Sequence, residues 1–212
     1  MKHKEENIET FKEKLFSQKK KLVTGIIIFL FFIILILGVY IYNLKKESDA
    51  KELAYEAYRY YLGLNRDSLT RQQSFLKSAD LFTKAYDKKK NIVYLLNAGY
   101  AYENGGQIAK AIEFLSKVSK AGDENLSNLA KFKIAMIYLK NKDKEQAVKV
   151  LKEISSGNSL VMKDMALFEL AKITEQENKE EALKYYNEIL TRFPNSPLSD
   201  SAKKAKEELR VK

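Results

Sequence analysis

Three regimes of hydrophobic and polar positions follow one another along the chain. Residues 1–21 are polar and rich in lysine. Residues 22–42, LVTGIIIFLFFIILILGVYIY, are apolar on every face, and no charge falls between Lys21 and Lys45. From residue 43 onward, apolar positions recur at helical spacing among Lys and Glu, with Ala and Leu frequent and glycine scarce.

The middle regime predicts a membrane span. At about 1.5 Å per residue, about 20 residues cover about 30 Å, the hydrocarbon thickness of a bilayer. A core helix of a soluble domain would keep a polar stripe, and this run has none. Tyr40 and Tyr42 close it where interfacial aromatics sit. A cleaved signal peptide would have a shorter apolar core of about 7–15 residues and a small-x-small site. This run is longer, and GVYIYNLKK offers no such site. The expectation is a basic cytoplasmic tail over 1–21, a retained signal anchor over 22–44 and an exported domain over 45–212. Seven lysines precede the span, at positions 2, 4, 12, 14, 19, 20 and 21. The 20 residues that follow it, 43–62, hold four cations, Lys45, Lys46, Lys51 and Arg59. That asymmetry predicts a cytoplasmic N-terminus, an inner-membrane span and a periplasmic or otherwise extracytoplasmic domain.

The exported part repeats itself. In NAGYAYENGGQIAKAIEFLSKV, Gly99, Tyr102, Ala111, Leu115 and Val118 set a spacing that Ala135, Tyr138, Ala147, Leu151 and Ile154 reproduce without a gap. A third copy matches at Ala182, Tyr186 and Ile189. Its Ala171 lies eleven residues before Ala182 instead of twelve, which predicts a turn one residue shorter, and Ile173 or Thr174 stands where the tyrosine should be. KSADLFTKAY supplies a partial earlier copy at Ser78, Phe82 and Ala85, and residues 50–64 are helical but loosely spaced from it. The anchors 78, 111, 147 and 182 step by 33, 36 and 35 residues. Such a unit reads as two antiparallel helices. Gly99, Ala111, Ala135, Ala147, Ala171 and Ala182 let helices cross closely, Tyr102 and Tyr138 fill the space beside them, and NGG and NKD turn the chain. One unit cannot bury its apolar face alone, so stacking supplies the core. Both prolines fall in FPNSPLSDSA. Pro194 ends a second helix, Ser196 caps a new one, and Pro197 stands at its first position. The helix expected over 197–210 is polar on most of its surface, as a terminal capping helix must be.

Composition narrows the chemistry. The chain has no Cys, no Trp and a single His, His3. There is no thiol nucleophile, disulfide or Cys/His metal site, and a Ser/His/Asp triad would have to use His3 in the charged tail. The reading implies no metal and no cofactor. Net charge is +10, from 38 basic and 28 acidic residues of interspersed sign. Lys88–Lys90 is the densest basic run beyond the tail, and it lacks the stacking aromatics or motif that nucleic-acid binding needs. A helical envelope hydrolase using paired carboxylates is the rival class. Its candidate acids, in EENIE, DEN and EQENKEE, sit in the tail, in turns or on helix starts, where negative charge suits the helix dipole. The chain is therefore read as non-catalytic.

The small-residue, tyrosine and alanine spacing resembles the tetratricopeptide-repeat superfamily over roughly residues 50–210. That resemblance implies an all-α fold: one N-terminal transmembrane helix, then a solenoid of about 3–4 helix pairs with a C-terminal capping helix. Pro194 stands where the family often has a proline. It also implies that first helices line a concave groove for protein partners or extended peptides. The groove residues would be Leu96 and Tyr100, Phe132 and Met136, and Phe168 and Lys172. Met and aromatics there would suit an apolar or extended peptide; the alternative, that these residues are core, stays open. Lys140 and Lys172 would attract an acidic ligand or simply be solvated. The layout of short basic tail, single span and small repeat domain is similar to that of the ancillary subunits of the bacterial SecYEG translocon. The ending YNEILTRFPNSPLSDSAKKAKEEL also resembles repeats in envelope proteins of outer-membrane assembly and cell division. Self-association through the span or the repeats is compatible with either.

Overall fold

The computed structural model describes residues 2–65 and 68–211. Within them are nine α-helices and no strand. The helices are α1 (Lys2–Leu62), α2 (Arg71–Lys88), α3 (Ile92–Asn104), α4 (Ile108–Ser119), α5 (Glu124–Lys140), α6 (Lys144–Ser156), α7 (Lys163–Thr174), α8 (Lys179–Arg192) and α9 (Ser199–Val211). The side chains of His3 and of the tail lysines 2, 4, 12, 14 and 20 lie outside the described residues. The chain divides into two compact units, residues 1–49 and 50–212.

In the first unit α1 carries the apolar run. Its side chains are exposed, Phe29 at 65% and Ile34 at 67%. The hydropathy of its most apolar stretch averages 2.9, and the helix is long and apolar enough to cross a membrane. Every backbone polar group in such a helix is satisfied internally, which is what hydrocarbon demands.

The second unit is a stack of antiparallel pairs: the end of α1 with α2, α3 with α4, α5 with α6, and α7 with α8, closed by α9. Local signals place the helix starts. Thr70 and Gln73 form a reciprocal capping box on α2. Asn91, Asp123, Asp143 and Asn178 each accept a backbone N–H in the first turn of α3, α5, α6 and α8. α4 starts without a side-chain cap, after Gly106 at φ 78°. The equivalent position of the next turn is Lys142, also left-handed at φ 62°, a conformation that costs a side chain about 1 kcal/mol or more.

The small residues sit where helices cross. Ala111, Ala135, Ala147, Ala171 and Ala182 are fully buried. A Cβ placed on Gly99 would come within 2.7 Å of Leu115 Cγ, so α3 and α4 approach too closely for any side chain there. Tyr102 and Tyr138 are half-buried against the same core cluster, and the Tyr102 ring lies 5.1 Å from Phe114.

Three local expectations are revised. First, α9 starts at Ser199, not at Pro197. The Ser196 hydroxyl accepts the Leu198 N–H at 3.1 Å and donates to Asp164 at 2.6 Å, so it closes a turn and ties it to α7. Pro194 follows the end of α8 by two residues.

Second, the turn after Ala171 is longer, not shorter. Residues 175–178 join α7 to α8, against 105–107 and 141–143 in the units before. The missing residue comes out of the helix: α7 ends three residues past Ala171, while α3 and α5 end five past Gly99 and Ala135.

Third, the tyrosine missing from α7 has moved. Thr174 is buried with its hydroxyl bonded back to Leu170 and Ala171. Tyr186, where the other pairs have Leu115 and Leu151, is fully buried and donates to Glu175. Bulk lost from the first helix is supplied by the second, which keeps the packing dense.

The loosely spaced first pair is genuine. Ala57 is buried, and Tyr60 follows it by three, as Tyr102 follows Gly99. Ala54 and Ala57 pack with Leu81, Phe82, Ala85 and Ala98. The segment between α1 and α2 absorbs the extra length.

Candidate functional site: the first-helix face

First helices lie side by side in a helix-pair stack, so equivalent residues on α1, α3, α5 and α7 form one face. Its N-terminal part is held by polar groups that satisfy one another. Asn97 Nδ2 donates to the Tyr58 hydroxyl at 2.6 Å, and Asn104 Nδ2 donates to the Tyr61 hydroxyl at 2.8 Å. The two rings meet α2 edge-on, Tyr58 on Phe82 at 4.8 Å and Tyr61 on Phe75 at 5.3 Å. Lys133 Nζ lies 2.6 Å from Glu103 Oε2 and 5.5 Å from the Tyr100 ring centre. Burial raises the pKa of Tyr100, helped by Tyr61 and the Glu103 carboxylate, so this phenol stays protonated and able to donate.

Further along, the face turns apolar. Phe132 and Met136 are half-buried against the core cluster that holds Ala135 and Leu170. Phe168 is half-buried with its ring 5.9 Å from Tyr186. Met165 remains 38% exposed in the first turn of α7. Lys172 is exposed, bonded to Glu169 at 3.1 Å, and poised 5.8 Å from the Phe168 ring centre. Its charge is thus matched within its own helix, while Lys140, at the end of α5, is exposed.

Of the six groove residues expected from sequence, Leu96 is corrected. It is 6% exposed and packs in the core with Leu115 and Ile134, because a position three before the small residue points into the stack on α3. Tyr100, Phe132, Met136 and Phe168 are part-exposed, and Lys172 is solvated. Tyr58, Tyr61, Asn97, Asn104, Glu103 and Lys133 were not anticipated. The signal was there: Ala57 and Tyr60 carry the repeat spacing, so Tyr58 is the counterpart of Tyr100.

Glu181 is held below the usual glutamate value by its hydrogen bond from Tyr185 and by Lys152, the opposite of what a general acid needs. Among the described residues no group of three or more His, Cys, Asp or Glu is placed to hold a metal ion.

A family described as a tetratricopeptide repeat-like domain matches residues 14–164, and the tetratricopeptide repeat itself matches residues 165–196. No curated protein matches the chain closely enough to name. Families of such repeats are generally non-catalytic scaffolds for protein–protein interaction. With the matched residues covering most of the chain and the small-residue crossings in place, the protein belongs to the tetratricopeptide repeat-like family.

Proposed function

We propose that the protein is a membrane-anchored, non-catalytic scaffold that holds extended segments of protein partners or exported client chains beside the SecYEG translocon. In this reading residues 1–21 are a cytoplasmic tail, 22–44 a retained inner-membrane anchor, and 45–212 an extracytoplasmic repeat domain. The observation that carries it is the first-helix face. Its polar N-terminal part is already self-satisfied, and the part-exposed Tyr100, Phe132, Met136 and Phe168, with Lys172 beside them, continue it as a mixed apolar and cationic strip. Met gives adaptable contact and the aromatics give rigid contact area at low ordering cost, a combination that suits chains of varied sequence. The span, the basic tail and the translocon-like layout support the location.

The test is crosslinking of the full-length protein in intact membranes, with captured proteins identified by mass spectrometry. It is run beside a Tyr100→Ala, Phe132→Ala, Phe168→Ala variant. Translocon subunits or exported chains captured by the native protein and lost from the variant support the proposal. Equal capture by the variant removes the strip from the binding role. Capture of outer-membrane-assembly or division proteins alone overturns the translocon assignment and leaves an anchored scaffold of another envelope process.

A further inference from the structure

The acidic stretch DEN before α5 continues as DENLS, residues 123–127. Asn125-Leu126-Ser127 is the triplet that carries N-linked sugar in exported proteins: an asparagine, any residue but proline, then a hydroxyl. Of the thirteen asparagines in the chain, Asn125 alone has Ser or Thr two residues on. Asp123 stands two before it, where the bacterial form of this acceptor carries an acid.

The fold leaves this asparagine able to bear a substituent. Asn125 is exposed in the first turn of α5. Its Oδ1 accepts the Ser159 hydroxyl at 2.9 Å, and its Nδ2 makes no hydrogen bond with any described residue. Asn97, Asn104 and Asn128 use theirs: Nδ2 donates to the Tyr58 hydroxyl, the Tyr61 hydroxyl and the Val161 carbonyl. Asn128, three residues on, is 7% exposed, and a group attached there would break its hold on the turn between α6 and α7. A group on Asn125 Nδ2 displaces no such bond. The hydroxyl of the triplet is engaged, since Ser127 Oγ donates to the Ser119 carbonyl at 2.8 Å and residues 124–127 are helical. An enzyme that must grip that hydroxyl on an extended segment can do so only before α5 folds.

We propose that Asn125 is an attachment site for an N-linked oligosaccharide, added as the chain emerges beyond the membrane and before α5 folds. The proposal rests on the anchor reading above, which exports the repeat domain. The co-reactant is an oligosaccharide carried on a polyprenyl diphosphate. Nδ2 attacks C1 of the sugar and loses one proton. The bond from C1 to the diphosphate oxygen breaks, and the polyprenyl diphosphate leaves with that electron pair. The amide lone pair is delocalised, so a separate transferase supplies the positioning and this chain contributes the acceptor. In the folded protein the glycan stands beside the turns that join α4 to α5 and α6 to α7, a bulky hydrophilic group on that edge of the stack.

The full-length protein is purified from the membranes of its native host and digested with trypsin. Cleavage after Lys120 and Lys131 releases residues 121–131, AGDENLSNLAK, which hold the triplet. The expected result is a peptide heavier by one oligosaccharide, with fragment ions placing the added mass on Asn125. That mass is lost in Asn125→Gln and in Ser127→Ala and is kept in Ser127→Thr, which preserves the hydroxyl. Export is read separately. The chain has no cysteine, so Gln176→Cys, at an exposed position between α7 and α8, gives a unique thiol for a membrane-impermeant maleimide. An unmodified peptide from protein that the reagent labels in spheroplasts overturns the attachment site and leaves the anchor reading standing. Labelling only after lysis overturns the exported orientation, and this proposal with it.

Discussion

The two ends of the first-helix face are built differently. Across α1, α3 and the start of the α5 contact, tyrosine hydroxyls, asparagine amides and one lysine–glutamate pair satisfy each other between neighbouring helices. Across α5 and α7, Phe132, Met136 and Phe168 are half-buried, and the Lys172–Glu169 ion pair beside Phe168 stays within its own helix. A polar group already paired has little to offer a ligand, since a new bond must replace an old one. A part-exposed apolar strip gains by being covered. The first region is a clasp that joins the end of α1 to the stack, and the second is open surface.

The clasp reading is most severely tested by removing α1. A fragment over residues 50–212 is expected to unfold cooperatively. One beginning at residue 68 uncovers Leu81, Phe82, Ala85 and Ala98 and loses on the order of 5 kcal/mol or its fold, at about 1.5–3 kcal/mol for each large side chain. Urea titration followed by circular dichroism compares the two. Equal midpoints would make α1 dispensable.

Smaller effects should separate the regions. Tyr58→Phe with Tyr61→Phe is expected to cost about 1–2 kcal/mol of stability and leave partner capture unchanged. Phe132→Ala with Met136→Ala should weaken capture about tenfold or more, beyond any change in melting. Reversal of that order would exchange the two roles.

Ser78 occupies the crossing position that is alanine in the other three pairs, and its buried hydroxyl has no hydrogen-bond partner. Ser78→Ala should therefore stabilise the clasp end by about 1 kcal/mol, measured by denaturant midpoint. A loss instead would mean that the hydroxyl is satisfied.

At the far end of the stack, the Glu181 carboxylate has a folded pKa below its ordinary value of 4.5, set first by Tyr185 and then by Lys152. Its stabilisation is therefore present above the unfolded value and lost as pH falls through the folded one. The group is about a third exposed, and solvent screening keeps the effect small. Glu181→Gln should flatten the acid limb of the stability profile below about pH 4.5 and leave the neutral region little changed.

Much of this was legible in the chain. Gly99 and Ala135 with their tyrosines at three and their alanines at twelve predicted two pairs, because close helix crossing admits only small residues at a fixed register. Pro194 marked the end of α8 for an equally local reason. The first pair was obscured, since the insertion between α1 and α2 broke the spacing from Ala57 to Ser78. Leu96 was misjudged because periodicity tells which face a residue shares and not which neighbour covers it.

Sequence by itself determined the apolar run, the helix-pair repeat and the starts of most helices, all of which depend on residues close in the chain. Tertiary structure alone decided the rest. It paired Tyr58 with Asn97 and Tyr61 with Asn104 across 39 and 43 residues. It moved a tyrosine's bulk from α7 to α8. Those outcomes depend on which surfaces meet after the helices stack, and a hydroxyl or an ammonium carries no mark in the sequence of the partner that packing will bring to it.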